Sequence, residues 1–278
     1  MDERSLTLFK YSICPEKFAK TQKQERTFFL KALNAATDIN FIQKIMIFAT
    51  RGISQKEIGS LENSAQITMS FCLMRLLAGI LRETFNLIQV GFYAEARGDK
   101  DRIELIKKEN LVDISINYRP PVLREEAFES LENSRKYFDA PGMKIINRIR
   151  DKFAFHYDFA EALKGDQNLT VIDDLDLFLE ESDANCLYYF ADRKLIYDIL
   201  NSIGYSADQL KEGMDAILKD LKEQARNLSH FLNGFCVAFC EKYPINLSDD
   251  CPKIKLSGLL FLEEVELPYF VKKSVTVG

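Results

Sequence analysis

The chain has 278 residues, 47% of them hydrophobic, 12% aromatic and 28% charged, with a formal net charge of −5. That apolar content excludes a disordered chain, and the length suffices for one or two domains with a sizeable core. Only two histidines, His156 and His230, are present, which excludes a His-rich zinc or di-iron centre, and the acidic balance argues against an extended nucleic-acid surface.

Twelve glycines and seven prolines are too few for a β-sandwich with a turn every ten residues, so helix is favoured. Residues 15–50 read as helical. Pro15 suits a first turn, and Phe18, Phe29, Leu33 and Ala36 recur at helical spacing. Asp38 and Asn40 divide this stretch into two helices, with Phe41, Ile45 and Phe48 continuing the stripe. Gly52 stops it, and Ser54 with Glu57 resembles a capping box opening a short helix. A long helix runs from about Asn63 to Ala96. Its apolar residues from Ile67 to Phe92 cover more than half its circumference, which predicts a central position in a bundle.

Residues 98–121 form a connection, charged and then proline-paired. Helices follow over 122–138 and 142–164, the second launched by the turn Asp139-Ala-Pro-Gly142. Leu175–Glu180 and Cys186–Phe190 flank Glu181–Asn185 and predict a β-hairpin, on which Tyr188 and Tyr189 pack against the bundle or stack bases. A short helix near 193–202 precedes a long one from Ser206 to about Tyr243, with Ser206 and Asp208 as competing caps. The last 35 residues mix prolines with β-leaning runs such as Ile254–Phe261. The expected architecture is all-α, with a helical domain over 1–243 that includes the hairpin and the long C-terminal helix, and an irregular, β-leaning tail over 244–278 packed on it.

No dinucleotide-binding, P-loop, zinc-protease or nucleophile-elbow signature is present. Paired acids such as Asp173-Asp174 and Asp249-Asp250 read as caps or solvated surface. The six cysteines include no CxxC; Cys236 and Cys240 share a helix face and read as small buried hydrophobes of a reducing compartment. The first residues carry no basic region leading into an apolar run, and Arg75, Arg82 and Glu83 interrupt the longest apolar stretch. The expectation is a cytoplasmic protein without a membrane span, resident metal or cofactor.

The segment that carries chemistry is Asn147 to Asp158. Ile145, Ile149, Phe153, His156, Ala160 and Leu163 form one stripe, with His156 within roughly 20° of Ile149 on the helical wheel. A histidine in such a stripe is commonly a core residue. Here Arg148, Arg150 and Lys152 place three cations within two turns, with Asp151 and Tyr157 beside them. Lys152 lies four residues before His156 on the same side, where its charge disfavours imidazolium. A neutral imidazole beside cations can accept a proton while the cations hold a phosphate. His230 lies among apolar residues of the long helix and reads as structural.

Arg150, Asp151 and His156, with five residues between the arginine and the histidine, resemble the signature of the HEPN (higher eukaryotes and prokaryotes nucleotide-binding) family. Tyr157 fits its aromatic position. The resemblance covers about ten residues strongly and the helical layout of 15–165 loosely, and the chain is longer than a minimal unit of that family. It implies a HEPN-like helical bundle and metal-independent endoribonuclease activity, as in a toxin or phage-defence effector. In that reading Arg150 and His156 are catalytic, and Asp151, Tyr157, Lys152 and Arg148 support them. It also implies a homodimer with two motifs in one cleft, an RNA substrate, and an inhibitory or activating protein partner. Arg150 and His156 are about 120° apart on an ideal helix, so catalysis needs a shared cleft or a local helix distortion. The alternative is a non-catalytic HEPN-like dimeric helical protein that binds a nucleotide or a protein. A plain helical scaffold with His156 in its core is the third reading.

Overall fold

The computed structural model describes residues 6–9, 12–51, 60–92, 123–140, 144–154, 187, 189–245, 253–260, 264–265 and 269. The fold is all-α with one small sheet. Among the described residues the elements are β1 (Leu6–Phe9), α1 (Pro15–Ala19), α2 (Lys23–Arg51), α3 (Leu61–Phe92), α4 (Leu123–Asp139), α5 (Ile145–Ile149) continued by a π-turn (Arg150–Ala154), α6 (Tyr189–Ser202), a 3₁₀ turn (Ala207–Gln209) leading into α7 (Leu210–Lys242), and β2 (Lys253–Leu256). The chain divides into two compact units, one of residues 1–40, 80–142 and 222–261, the other of 41–79, 143–221 and 262–278.

In the first unit, α1 ends at Lys20–Gln22, where two side chains bond the carbonyls of the turn. Arg26 Nη1 donates to the carbonyls of Ala19 (2.6 Å) and Thr21 (2.9 Å), and more weakly to that of Phe18, to which the Thr21 hydroxyl also donates (2.8 Å), adding to the few backbone bonds available at a helix end. The break thus precedes α2, which runs without interruption through Asp38 and Asn40. Both of those are exposed, while Ile39 between them is fully buried; a polar residue on the wet face costs a helix only a few tenths of a kcal/mol, about the spread of ordinary helix propensities. The core is aromatic. Phe29 stacks on Phe239 at 4.2 Å, Phe28 meets Phe235 edge-on at 4.9 Å, and Phe18 packs against both Phe29 and Phe239. Phe85 stacks on Phe138 at 4.6 Å with the Arg82 guanidinium over both rings.

Glu25, in the first turn of α2, is fully buried and accepts hydrogen bonds from Lys242 Nζ (2.9 Å) and the Tyr243 hydroxyl (2.6 Å) at the end of α7. β1 and β2 pair antiparallel with Leu6 opposite Leu256 and Leu8 opposite Ile254. Paired residues share a face, so these four aliphatics make one side of the ribbon, and all four are exposed. Of the β-leaning run expected over 254–261, Ile254–Leu256 lies in β2 and 257–260 form no strand. The hairpin expected over 175–190 lies outside the described residues for most of its length; Tyr189 and Phe190 open α6.

In the second unit, Ser60 caps α3 by accepting the Asn63 amide at 3.1 Å. Gln66, itself buried, donates across to the Ala49 carbonyl of α2. Phe71, Met74 and Leu77 of α3, Ile146 and Ile149 of α5, and Ile199 and Leu200 of α6 are buried. α6 ends in a Schellman turn. Gly204, at φ 92°, lets its amide reach the Asn201 carbonyl while the Tyr205 amide reaches that of Leu200, a conformation that favours glycine at this place. Of the two caps considered for α7, Ser206 occupies the position, with the Gln209 side chain accepting from its amide and hydroxyl. α3 over Leu61–Gln89 is long and apolar enough to cross a membrane by length and composition, and 67% of its apolar window is buried inside the structure, as a central helix requires. The capping box at Ser54–Glu57 lies outside the described residues.

Candidate active site

The helix expected over 142–164 begins at Ile145, after Lys144 in extended conformation, and stays α-helical for five residues only. At Arg150 it widens into the π-turn. Ile146, Ile149 and Phe153 are buried beneath it, which fixes the inner face, while Arg150 and Asp151 are half-buried. The turn takes in one residue more than an α-turn, so the helical wheel does not carry through it.

Arg150 and Asp151 form an ion pair at 2.8 Å between Nη1 and Oδ1, with side chains 28% and 43% exposed. Arg148 is half-buried. Lys152 belongs to the π-turn by its backbone, and its side chain lies outside the described set, as do His156 and Tyr157. The structure therefore brings Arg150 and Asp151 together at the start of a helix distortion.

Arg75 of α3 reaches the same turn from a position 78 residues earlier, where no local pattern signals it. Its Nη1 donates to the Phe153 carbonyl at 3.4 Å, and Nη2 lies 4.0 Å from Asp192 Oδ1 of α6, with both side chains mostly buried. The guanidinium also sits 5.4 Å above the Phe71 ring. Burial pushes the Asp192 carboxyl above its ordinary range, and the Arg75 charge partly offsets that rise.

The other histidine lies in α7, the long helix where it was expected. His230 is exposed, because Phe231 and Leu232 beside it in sequence point to other faces of α7, where they are buried. Arg226, one turn earlier, is exposed as well. Cys236 and Cys240 are half-buried. Burial, reinforced by Cys240, pushes the Cys236 thiol up to about 12, so this pair is inert as nucleophile. Cys72 of α3 is exposed.

Among the described residues no three His, Cys, Asp or Glu side chains converge as metal ligands would. Compared with protein-family models, with curated proteins and with solved structures, the chain matches none of them.

Proposed function

We propose that the protein is a metal-independent endoribonuclease of the HEPN type. The ribose 2′-hydroxyl attacks the adjacent phosphorus, the bond from phosphorus to the 5′-oxygen breaks, and the products carry a 2′,3′-cyclic phosphate and a 5′-hydroxyl. His156 takes the proton from the nucleophile or gives one to the leaving oxygen, and Arg150 stabilises the charge that develops on the phosphorane. Asp151 orients Arg150, Tyr157 positions the nucleotide, and Arg148 and Lys152 add cationic character. The working form is a C2 homodimer with two motifs in one cleft, acting in the cytoplasm as a toxin or phage-defence effector under a controlling protein partner.

The observation that supports this reading is the Arg150–Asp151 pair at the opening of the π-turn. The arginine is held by a neighbour at a partly exposed position, and the helix is distorted where an ideal one would keep Arg150 and His156 apart. The test is an RNA cleavage assay of wild type, Arg150→Ala and His156→Ala with the product ends mapped. The expected result is cyclic-phosphate ends without magnesium, and a loss of about 100-fold or more in each variant. Magnesium-dependent products with 5′-phosphates, or variants as active as wild type, would overturn it. A second reading, a non-catalytic helical protein with a protein partner, draws on the exposed aliphatic face of the β1–β2 ribbon.

A further inference from the structure

We propose that Arg75 is a positioning residue for this site, holding the π-turn that carries Arg150 by its bond to the Phe153 carbonyl, with Asp192 fixing the guanidinium in place. The claim about the turn stands on geometry, and the claim about catalysis rests on the ribonuclease reading.

A π-turn is rare in a helix and needs a cause, since one residue must be accommodated outside the regular ladder. The packing below Arg150 supplies half of one. Ile146, Ile149 and Phe153 are all buried, and the widened turn sets the angular relation between the last two. A donor from outside the helix supplies the other half. The Arg75 guanidinium offers the Phe153 carbonyl a hydrogen bond that does not belong to the ladder, so the backbone there need not return to regular α-helical bonding.

A mostly buried arginine requires compensation of its own charge. Asp192 provides it at 4.0 Å from α6, and the Phe71 ring face lies beneath the guanidinium at 5.4 Å. Three separate stretches of the second unit thus meet at one side chain. Arginine suits the place because one planar fork can address two acceptors on different elements, whereas a lysine ammonium is a point donor.

The experiment pairs amide hydrogen exchange with cleavage kinetics on full-length wild type, Arg75→Met, Arg75→Lys and Asp192→Asn. In Arg75→Met, exchange in peptides covering 146–158 rises about tenfold or more while peptides from 224–242 keep wild-type rates, because only the local opening equilibrium shifts. Asp192→Asn, which keeps the volume and removes the charge partner, raises exchange in the same peptides by a smaller factor. In single-turnover cleavage, Arg75→Met slows the chemical step by about 10- to 100-fold with RNA affinity unchanged, as misplacement of a catalytic group does, and Arg75→Lys recovers part of the rate. Unchanged exchange over 146–158 in both Arg75→Met and Asp192→Asn would overturn the proposal, and so would an increase spread evenly over both units. If wild type cleaves no RNA while the exchange effect stays local, the ribonuclease reading fails and the positioning of the turn by Arg75 holds.

Discussion

Glu25 and Asp192 are both carboxylates withdrawn from water, and the chain compensates them to different degrees. Glu25 receives an ammonium and a phenolic hydroxyl at hydrogen-bonding distance. Asp192 faces a guanidinium at 4.0 Å, and burial outweighs that attraction, so its carboxyl is raised from 3.8. The sign of the consequence follows. A carboxyl that binds its proton more tightly when folded contributes stability that is fully present below its unfolded value and is lost as pH rises through the folded one. Asp192→Asn does not titrate. The thermal midpoint of Asp192→Asn relative to wild type is therefore expected to rise as pH goes from about 4 to about 7. Thermal unfolding of both proteins over that range checks it, and a flat or falling difference would contradict the assignment.

At the scale of elements, Gly213 shows magnitudes deciding between opposed effects. Alanine in place of a helical glycine ordinarily gains about 1 kcal/mol. Here a Cβ would press on Leu200 Cδ2 and lie 3.1 Å from Tyr205 Cγ, and Leu200 is buried. Overpacking of that kind costs about 1–3 kcal/mol, so Gly213→Ala is expected to lower the melting temperature despite its better propensity. A melting temperature at or above wild type would show that Leu200 and Tyr205 yield. This close approach of α7 to the end of α6 also explains why the Schellman turn at Gly204 matters: it delivers Tyr205 against α7.

Helices α3, α4 and α7 were legible in the sequence to within a few residues because long runs of apolar residues at helical spacing fix them. α2 was harder, since Asp38 and Asn40 suggest a break by propensity while the real break, at Lys20–Gln22, depends on the reach of Arg26. Arg150 and Asp151 were singled out by a resemblance to a short motif, within a local cluster of cations. The π-turn could not be, because it arises from a tertiary contact with Arg75, and a contact across 78 residues leaves no period. His230 lies in the long helix as expected, and it is exposed although Phe231 and Leu232 beside it are buried, because successive helical residues turn by about 100°.

For the whole molecule, the shared cleft of the proposed dimer makes a prediction that no single-chain arrangement does. Arg150→Ala and His156→Ala are each expected to be inactive alone. If each of the two composite sites in the shared cleft draws its arginine from one protomer and its histidine from the other, one of the two sites in a mixed dimer regains both wild-type groups. Co-refolding the two variants in equal amounts should then restore about a quarter of wild-type cleavage, because half of the dimers are mixed and each holds one intact site. Cleavage that stays at background after subunit exchange would place both groups of each site on a single protomer.

The ribbon at β1 and β2 bears on how such a protein is made. Leu6–Phe9 is made well before its partner Lys253–Leu256, and helices α1 to α7 all lie between the two strands. Until then β1 presents an open edge of Leu, Thr, Leu and Phe, a pattern prone to pair with other chains. The ribbon can close only after α1 to α7 have been made, so its pairing is a late, long-range event in folding.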